Sequence, residues 1–200
     1  IIACRMIRRL SLVLGESPMS NDAARWYPRT TLVAALILLA ALSRLLPHPP
    51  NFTPVEAIGL FGGAYLADRR LAYLVPLLAM ALADLVLGLH SGMPVIYALI
   101  AFNVWLGFRV GPNPSAQRVA SYGLLAAAVF FMVSNFAVWA SGGGLFYTYD
   151  LAGLISCYTM ALPFFGYSLL GMVVYSTILF GGMALVRAQS HEAQTLATRA

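Results

Sequence analysis

Long apolar runs, broken at short intervals by proline, glycine and charged residues, dominate this chain. A bilayer hydrocarbon core about 30 Å thick takes about 20 mostly apolar residues per helix, fewer where partners shield the helix or the bilayer thins. Six segments fit, running approximately from Thr30 to Leu46, Pro54 to Ala67, Leu71 to Leu89, Pro94 to Val110, Val119 to Ala140 and Pro163 to Val186. Between them stand Pro47-His48-Pro49-Pro50, Asp68-Arg69-Arg70, His90-Ser91-Gly92, Gly111-Pro112-Asn113-Pro114 and Ser141-Gly142-Gly143-Gly144, all helix-breaking or polar punctuation. The pattern predicts an all-α integral membrane bundle of six transmembrane helices. Residues 1–29 form an N-terminal extension, 30–187 the transmembrane domain and 188–200 a tail.

The longest connection, Ser141 to Leu162, opens with glycines and continues LFYTYDLAGLISCYTMALP, too apolar and aromatic for a freely solvated loop. Irregular backbone at membrane depth must be buried in protein or line water, so a re-entrant or interfacial segment covering a cavity fits it. A short helix at the headgroups, with Tyr147, Tyr149 and Tyr158 as an aromatic belt, fits equally.

Composition narrows the class. Hydrophobic residues make up 60% of the chain and charged ones 10%, with a mean hydropathy of +0.81. A soluble fold of this size cannot hide so much apolar surface, so lipid must cover much of it. The net charge of +5 does not point to nucleic acid, because the basic residues are scattered between apolar spans without a stripe of interleaved aromatics. The two cysteines, Cys4 and Cys157, fall on opposite sides of the predicted bilayer and form no disulfide framework. Met19-Ser20-Asn21-Asp22 reads as a natural start, which leaves residues 1–18 as sequence upstream of it, a fragment's leader or a short amphipathic surface helix. The apolar run Ser11–Leu14 is too short for a cleaved signal peptide.

All 12 basic residues are arginine, and their distribution orients the chain. Arg5, Arg8, Arg9, Arg25 and Arg29 precede the first segment, Arg69 and Arg70 follow the second, Arg109 and Arg118 flank the connection after the fourth, and Arg187 and Arg199 follow the sixth. Arginine accumulates on the cytoplasmic side, so both termini are expected in the cytoplasm of a bacterial inner membrane. The outer connections hold none, and an odd number of spans would break this agreement.

Arg44 is the exception, inside the outer end of the first segment. With Glu56 and Asp84 it makes three ionisable side chains within apolar spans, where such groups are costly and face a bundle interior or a cavity. Arg44 and Glu56 lie near the outer ends of their segments, and Asp84 lies roughly 9 Å below the end of its own, so all three share the outer half. Two readings follow. Arg44 can serve an anionic or carbonyl group of a solute, with Glu56 and Asp84 as acceptors; or the three can form an internal ion-pair network that fixes packing.

Near this level come His48, Asn51 and Thr53 in the first outer connection, then Ser134, Asn135 and Trp139. Tyr147, Cys157, Tyr158, Phe164 and Phe165 follow from the long connection. Aromatics with a few convergent polar groups make a small-molecule pocket, though Trp139 alone reads as an interfacial anchor. Asn103, mid-span, reads as structural. His90 and Cys157 lack the companions of a protein-bound metal site and remain only weak candidates as ligands to a metal-bearing substrate. No cofactor is expected. Catalysis has little support: H-E-x-x-H, G-x-S-x-G and a phosphate loop with lysine are all missing from the sequence, and a membrane enzyme using Asp84 or Glu56 as base ranks last. Gly59 and Gly63 form a G-x-x-x-G, and Ala79 and Ala83 a small pair, which let helices approach closely.

The segments Leu45-Leu46-Pro47-His48-Pro49-Pro50-Asn51-Phe52-Thr53-Pro54, Ser134-Asn135-Phe136-Ala137-Val138-Trp139, Gly153-Leu154-Ile155-Ser156-Cys157-Tyr158 and Ala161-Leu162-Pro163-Phe164-Phe165 resemble an uncharacterised bacterial six-span membrane family whose suggested role is transport. The resemblance covers roughly Arg44 to Gly182. The architecture also resembles the S components of energy-coupling-factor (ECF) vitamin transporters. That likeness implies capture of a vitamin- or cofactor-like solute from outside, and release inward against a transmembrane coupling subunit driven by ATPases. With His90 or Cys157 as a cobalt ligand, it would extend to cobalamin. Ala34, Ala35, Ala40 and Ala41 do not give the A-x-x-x-A docking pattern of those proteins, so a solitary transporter is the other form of the reading. The expected function is solute binding and uptake, with solute and lipid bilayer as partners and no nucleic acid. The alternative is a structural or assembly subunit of a cell-envelope complex.

Overall fold

The computed structural model describes residues 30–142 and 144–189; the N-terminal extension with Cys4 and Met19, and residues 190–200 of the tail, lie outside them. Six helices form the described chain, with no strand among the described residues. They are α1 (Thr30–Leu42, continued by a 3-10 turn Ser43–Leu45), α2 (Val55–Tyr65), α3 (Arg69–Leu87), α4 (Met93–Val110), α5 (Ala116–Ser141) and α6 (Leu151–Gln189). The last is regular over Leu151–Ser176 and passes through a π-helical turn at Thr177–Gly181.

The punctuation read from the sequence works through identifiable caps. Asp68 accepts hydrogen bonds from the backbone N–H groups of Arg70 and Leu71 and starts α3. Ser115 accepts from Arg118 N–H and starts α5. Both satisfy donors that a helix N-terminus otherwise leaves bare. Gly88 and Gly111 close α3 and α4 with φ of 104° and 74°, a region that costs glycine nothing.

Four helices, α3 to α6, are long and apolar enough to cross a membrane, while α1 is a shorter apolar helix. Alpha-helix α2 departs from the expectation of a sixth lipid-facing span. Its 11 residues reach only about 16 Å, and every one of them is buried. A short apolar helix of that length belongs in a core, and here it is the core.

Glycine makes that possible. A Cβ on Gly59 would stand 2.8 Å from Asn103 Cβ, and one on Gly63 would overlap the Val104 carbonyl oxygen and stand 2.9 Å from Gly107 Cα. Gly107 returns the approach against Leu60 and Gly63. The pairs ascend together in sequence, so α2 and α4 run parallel at near backbone contact. The G-x-x-x-G thus acts inside the bundle, where close approach replaces the hydrophobic drive that lipid removes. On its other faces α2 sets Gly62 against Pro76 of α3 and Ile37 of α1, and packs Phe61 edge-on and Tyr65 tilted against Phe180 of α6, with centroids 5.3 and 5.6 Å apart.

The connection before α6 is the second correction. Residues 151–162 are neither re-entrant backbone nor a separate short helix but the first turns of α6, a continuous helix of 39 residues and about 58 Å. Pro163, which reads in sequence as a helix start, lies inside it. The true start is Asp150, whose Oδ1 accepts from Gly153 N–H and from the Thr148 hydroxyl, both at 2.7 Å. Those two bonds, the Gly153 N–H first, hold the Asp150 carboxyl below its ordinary value.

Candidate functional site

The 3-10 turn at the end of α1 carries Arg44 across to α3, where its Nη1 donates to Asp84 Oδ1 at 2.7 Å and lies 3.8 Å from Met80 Sδ. The Tyr97 hydroxyl, from the second turn of α4, donates to Asp84 Oδ2 at 2.9 Å. Both carboxylate oxygens are therefore engaged, each by a different helix. Asp84 is almost fully buried, whereas the Arg44 side chain keeps 15% exposure. Ser43, beside Arg44, meets the Tyr175 hydroxyl of α6 at 2.8 Å and donates to Ala40 O. Four helices are thus tied at one end of the bundle by polar groups that satisfy one another.

Glu56 does not join this network. It sits in the first turn of α2 with 1% exposure, and its Oε2 has no hydrogen-bond partner. Asn103 is equally buried, and neither its amide nitrogen nor its oxygen has a partner. The two belong together. Gly59 receives Asn103 Cβ, and Glu56 lies one helical turn before Gly59 on the same face of α2. Glu56 thus precedes by one turn the point where α2 meets Asn103, and both side chains keep bonding capacity unspent. Buried polar groups are nearly always paired, and each exception calls for an explanation.

The remaining candidates scatter. His48 is half-buried, its Nδ1 3.0 Å from Pro49 O, and Asn51 is an exposed turn residue at φ 63°. Asn135 donates to Phe131 O within its own helix, and Cys157 is a free, buried thiol whose Sγ lies 3.5 Å from Asn135 O. Trp139 donates from Nε1 to Thr148 O and packs edge-on against Tyr149; Tyr158 donates to Met132 O. These bonds knit α5 to α6 and to the short turn between them. Tyr147 is half-buried in that turn, and Phe164 is exposed on α6. Exposed His90 touches Met93 Sδ through its backbone N–H, and no group of three metal-ligating side chains occurs among the described residues. Of the sequence candidates, Arg44 and Asp84 form an ion pair and Cys157 meets the Asn135 carbonyl; Tyr97 and Asn103 add to the polar interior. Tyr97 carries no charge and sits in an ordinary aromatic stripe, so only the fold singles it out.

With this geometry in hand, comparison with known proteins gives one result. Residues 25–195 match a family described as "Family of unknown function (DUF6580)". The chain belongs to that family. No curated protein and no solved structure matches. The family's description fixes no activity, and nothing in the comparisons links the chain to the S components of ECF transporters.

Proposed function

We propose that this chain is a membrane-embedded protein that binds a small polar solute within its helix bundle and assists its movement across the bilayer. The observation that carries the reading is the unpartnered pair, Glu56 Oε2 and the Asn103 carboxamide, at the α2–α4 contact. Ionisable and amide groups inside a membrane protein are expensive, and where they stay unsatisfied by protein their partner is what moves. Glu56 offers an acceptor and Asn103 a donor and an acceptor, which suits an amine, amide or hydroxyl of a vitamin- or cofactor-like molecule. The Arg44–Asp84–Tyr97 network lies at the same end of the bundle and serves as a latch above the pair. The arginine distribution makes this the outer end, with both termini in the cytoplasm of the inner membrane. Entry is then from outside, and an energising partner subunit is compatible with the scheme.

Thermal-shift and native mass spectrometry of the purified protein against a panel of vitamins and cofactors, cobalamin included, test this reading. A stabilising compound should lose its effect in Glu56→Gln or Asn103→Leu. A panel without any stabilising member, or a hit indifferent to both substitutions, sinks it. A structural subunit is the second reading, favoured by the self-satisfied Arg44–Asp84–Tyr97 network; it predicts no ligand at all.

A further inference from the structure

The arginine-rich end of the bundle holds two adjoining cavities of opposite character. One, of about 460 Å³, is lined by Arg69, Arg109 and Arg118 together with Phe108, Asn113 and backbone of the Gly111–Pro112 turn. The other, of about 630 Å³, is an apolar cleft between α5 and α6, walled by Val119, Leu124, Met172, Val173 and Phe180. Asn113 lines the first and Arg187 the second, and Arg187 Nη1 donates to Asn113 Oδ1, so a single bond marks their boundary.

The polar cavity is cationic without a carboxylate in its lining. Arg69 lies over the Phe108 ring at 5.7 Å and Arg109 over Trp105 at 4.7 Å, which props their guanidinium groups while leaving their N–H donors unspent on acid. The salt bridge found among the described residues is at the opposite end of the bundle. Asp68, the neighbouring acid in sequence, spends Oδ1 on capping α3. Arg69 and Arg118 also occupy first turns of α3 and α5, where the positive end of the helix dipole disfavours cations; Asp68 caps α3, but α5 is capped by the neutral Ser115 with no acidic residue in its first turn. The α5 N-terminus and three arginines around one cavity form a field that an anion relieves.

The apolar neighbour says what the anion is attached to. The cleft lies where Gly123 of α5 faces Met172 of α6, beside the π-helical turn Thr177–Gly181, whereas further along the two helices pack through Phe131, Tyr158 and Phe165. We propose that these two cavities form one site for an anionic phospholipid, with its phosphate among Arg69, Arg109 and Arg118 and an acyl chain along the α5–α6 cleft. Basic pockets between transmembrane helices take lipid headgroups by this division of labour.

Native mass spectrometry of the full chain released from detergent tests this, with phosphatidylglycerol, phosphatidylcholine and inorganic phosphate as probes. Phosphatidylglycerol should be retained over phosphatidylcholine, and Arg109→Gln with Arg118→Gln should weaken its binding about thirtyfold, at about fivefold per lost arginine. Val173→Trp, which fills the cleft, should weaken phosphatidylglycerol but leave any phosphate binding unchanged. Single Arg118→Gln, at an exposed position, serves if the double variant fails to fold. Equal retention of the two lipids, indifference to the arginine substitutions, or inorganic phosphate binding as tightly as the lipid would each overturn the assignment.

Discussion

Arg44 and Asp84 meet at 2.7 Å across 40 positions of sequence, and Tyr97 closes the second oxygen of the same carboxylate. The pair joins the end of α1 to the last turn of α3, and the tyrosine adds α4. Because the network is complete, its loss should register as stability. Asp84→Asn leaves the Arg44 guanidinium facing a neutral partner in a largely buried setting. Breaking such a pair costs about 3 kcal/mol, at the low end of the buried range because Arg44 still reaches solvent. The double substitution Arg44→Met, Asp84→Leu should recover most of that loss. Thermal unfolding in detergent measures all three variants, and an Asp84→Asn protein as stable as the parent contradicts the account.

The close approach of α2 and α4 gives a harsher expectation. Gly63→Ala places a methyl group onto the Val104 carbonyl, backbone that cannot rotate away. Overpacking typically costs about 1–3 kcal/mol, and a backbone clash belongs at the upper end. Gly181→Ala, with nothing within 4 Å of its added Cβ, is the matched control and should behave like the parent. Yield of folded, monodisperse protein for the two variants reads the difference.

At Asn103 stability and function should part. Asn103→Leu keeps the side chain's branching and heavy-atom count while removing a buried amide that has no protein partner, a group whose desolvation costs about 1–3 kcal/mol. The variant should therefore unfold at higher temperature than the parent while losing any solute that stabilises the parent. Such opposition marks sites kept for function at the expense of the fold. A variant that is less stable than the parent would show that Asn103 is bonded in the folded protein.

Asp150 supplies a pH-dependent element. Its carboxyl is held below the ordinary 3.8 by bonds that need the ionised form, first the Gly153 N–H and then the Thr148 hydroxyl. A depressed folded-state value means the cap is fully present above the unfolded value and is lost as pH falls through the lower, folded one. Amide protection at Gly153 and Leu154, taken relative to the intrinsic exchange rate at each pH, should be full at neutral pH and should fall only in acid below the ordinary carboxylate range. Asp150→Asn should show lower protection than the parent at neutral pH, with the difference shrinking as acid removes the parent's cap.

How much of this was legible in the sequence varies with the physics involved. Helix positions followed from apolar runs and proline or glycine punctuation, and the co-location of Arg44 with Asp84 followed from counting residues along two segments that run in the same direction. Two features were hidden. The Asp150 cap was masked by Pro163, because a proline reads equally as a first-turn residue or as a tolerated kink, and only backbone geometry tells them apart. The link of Asn103 to Glu56 depends on the parallel register of α2 and α4, which glycine contacts set and no local pattern encodes. Tyr97 and the paired cavities likewise arise from which helices become neighbours.

Orientation is the remaining expectation that a single experiment decides. Arginines cluster at the end where α3 and α5 begin and α4 finishes, and the Ser91–Gly92 turn lies at the other end, before α4. If arginine bias governs insertion, Ser91→Cys should react with a membrane-impermeant maleimide added to intact cells. Ser115→Cys, an exposed position beside Arg118, should react only after permeabilisation. The background needs Cys4→Ser and Cys157→Ser; Cys157 is buried at 2% exposure, and a serine there keeps a donor for Asn135 O. Labelling of position 115 from outside would invert the bundle. The Arg44–Asp84 latch would then face the cytoplasm and the proposed phospholipid site the outer leaflet, and uptake from outside through the Glu56–Asn103 pair would no longer follow.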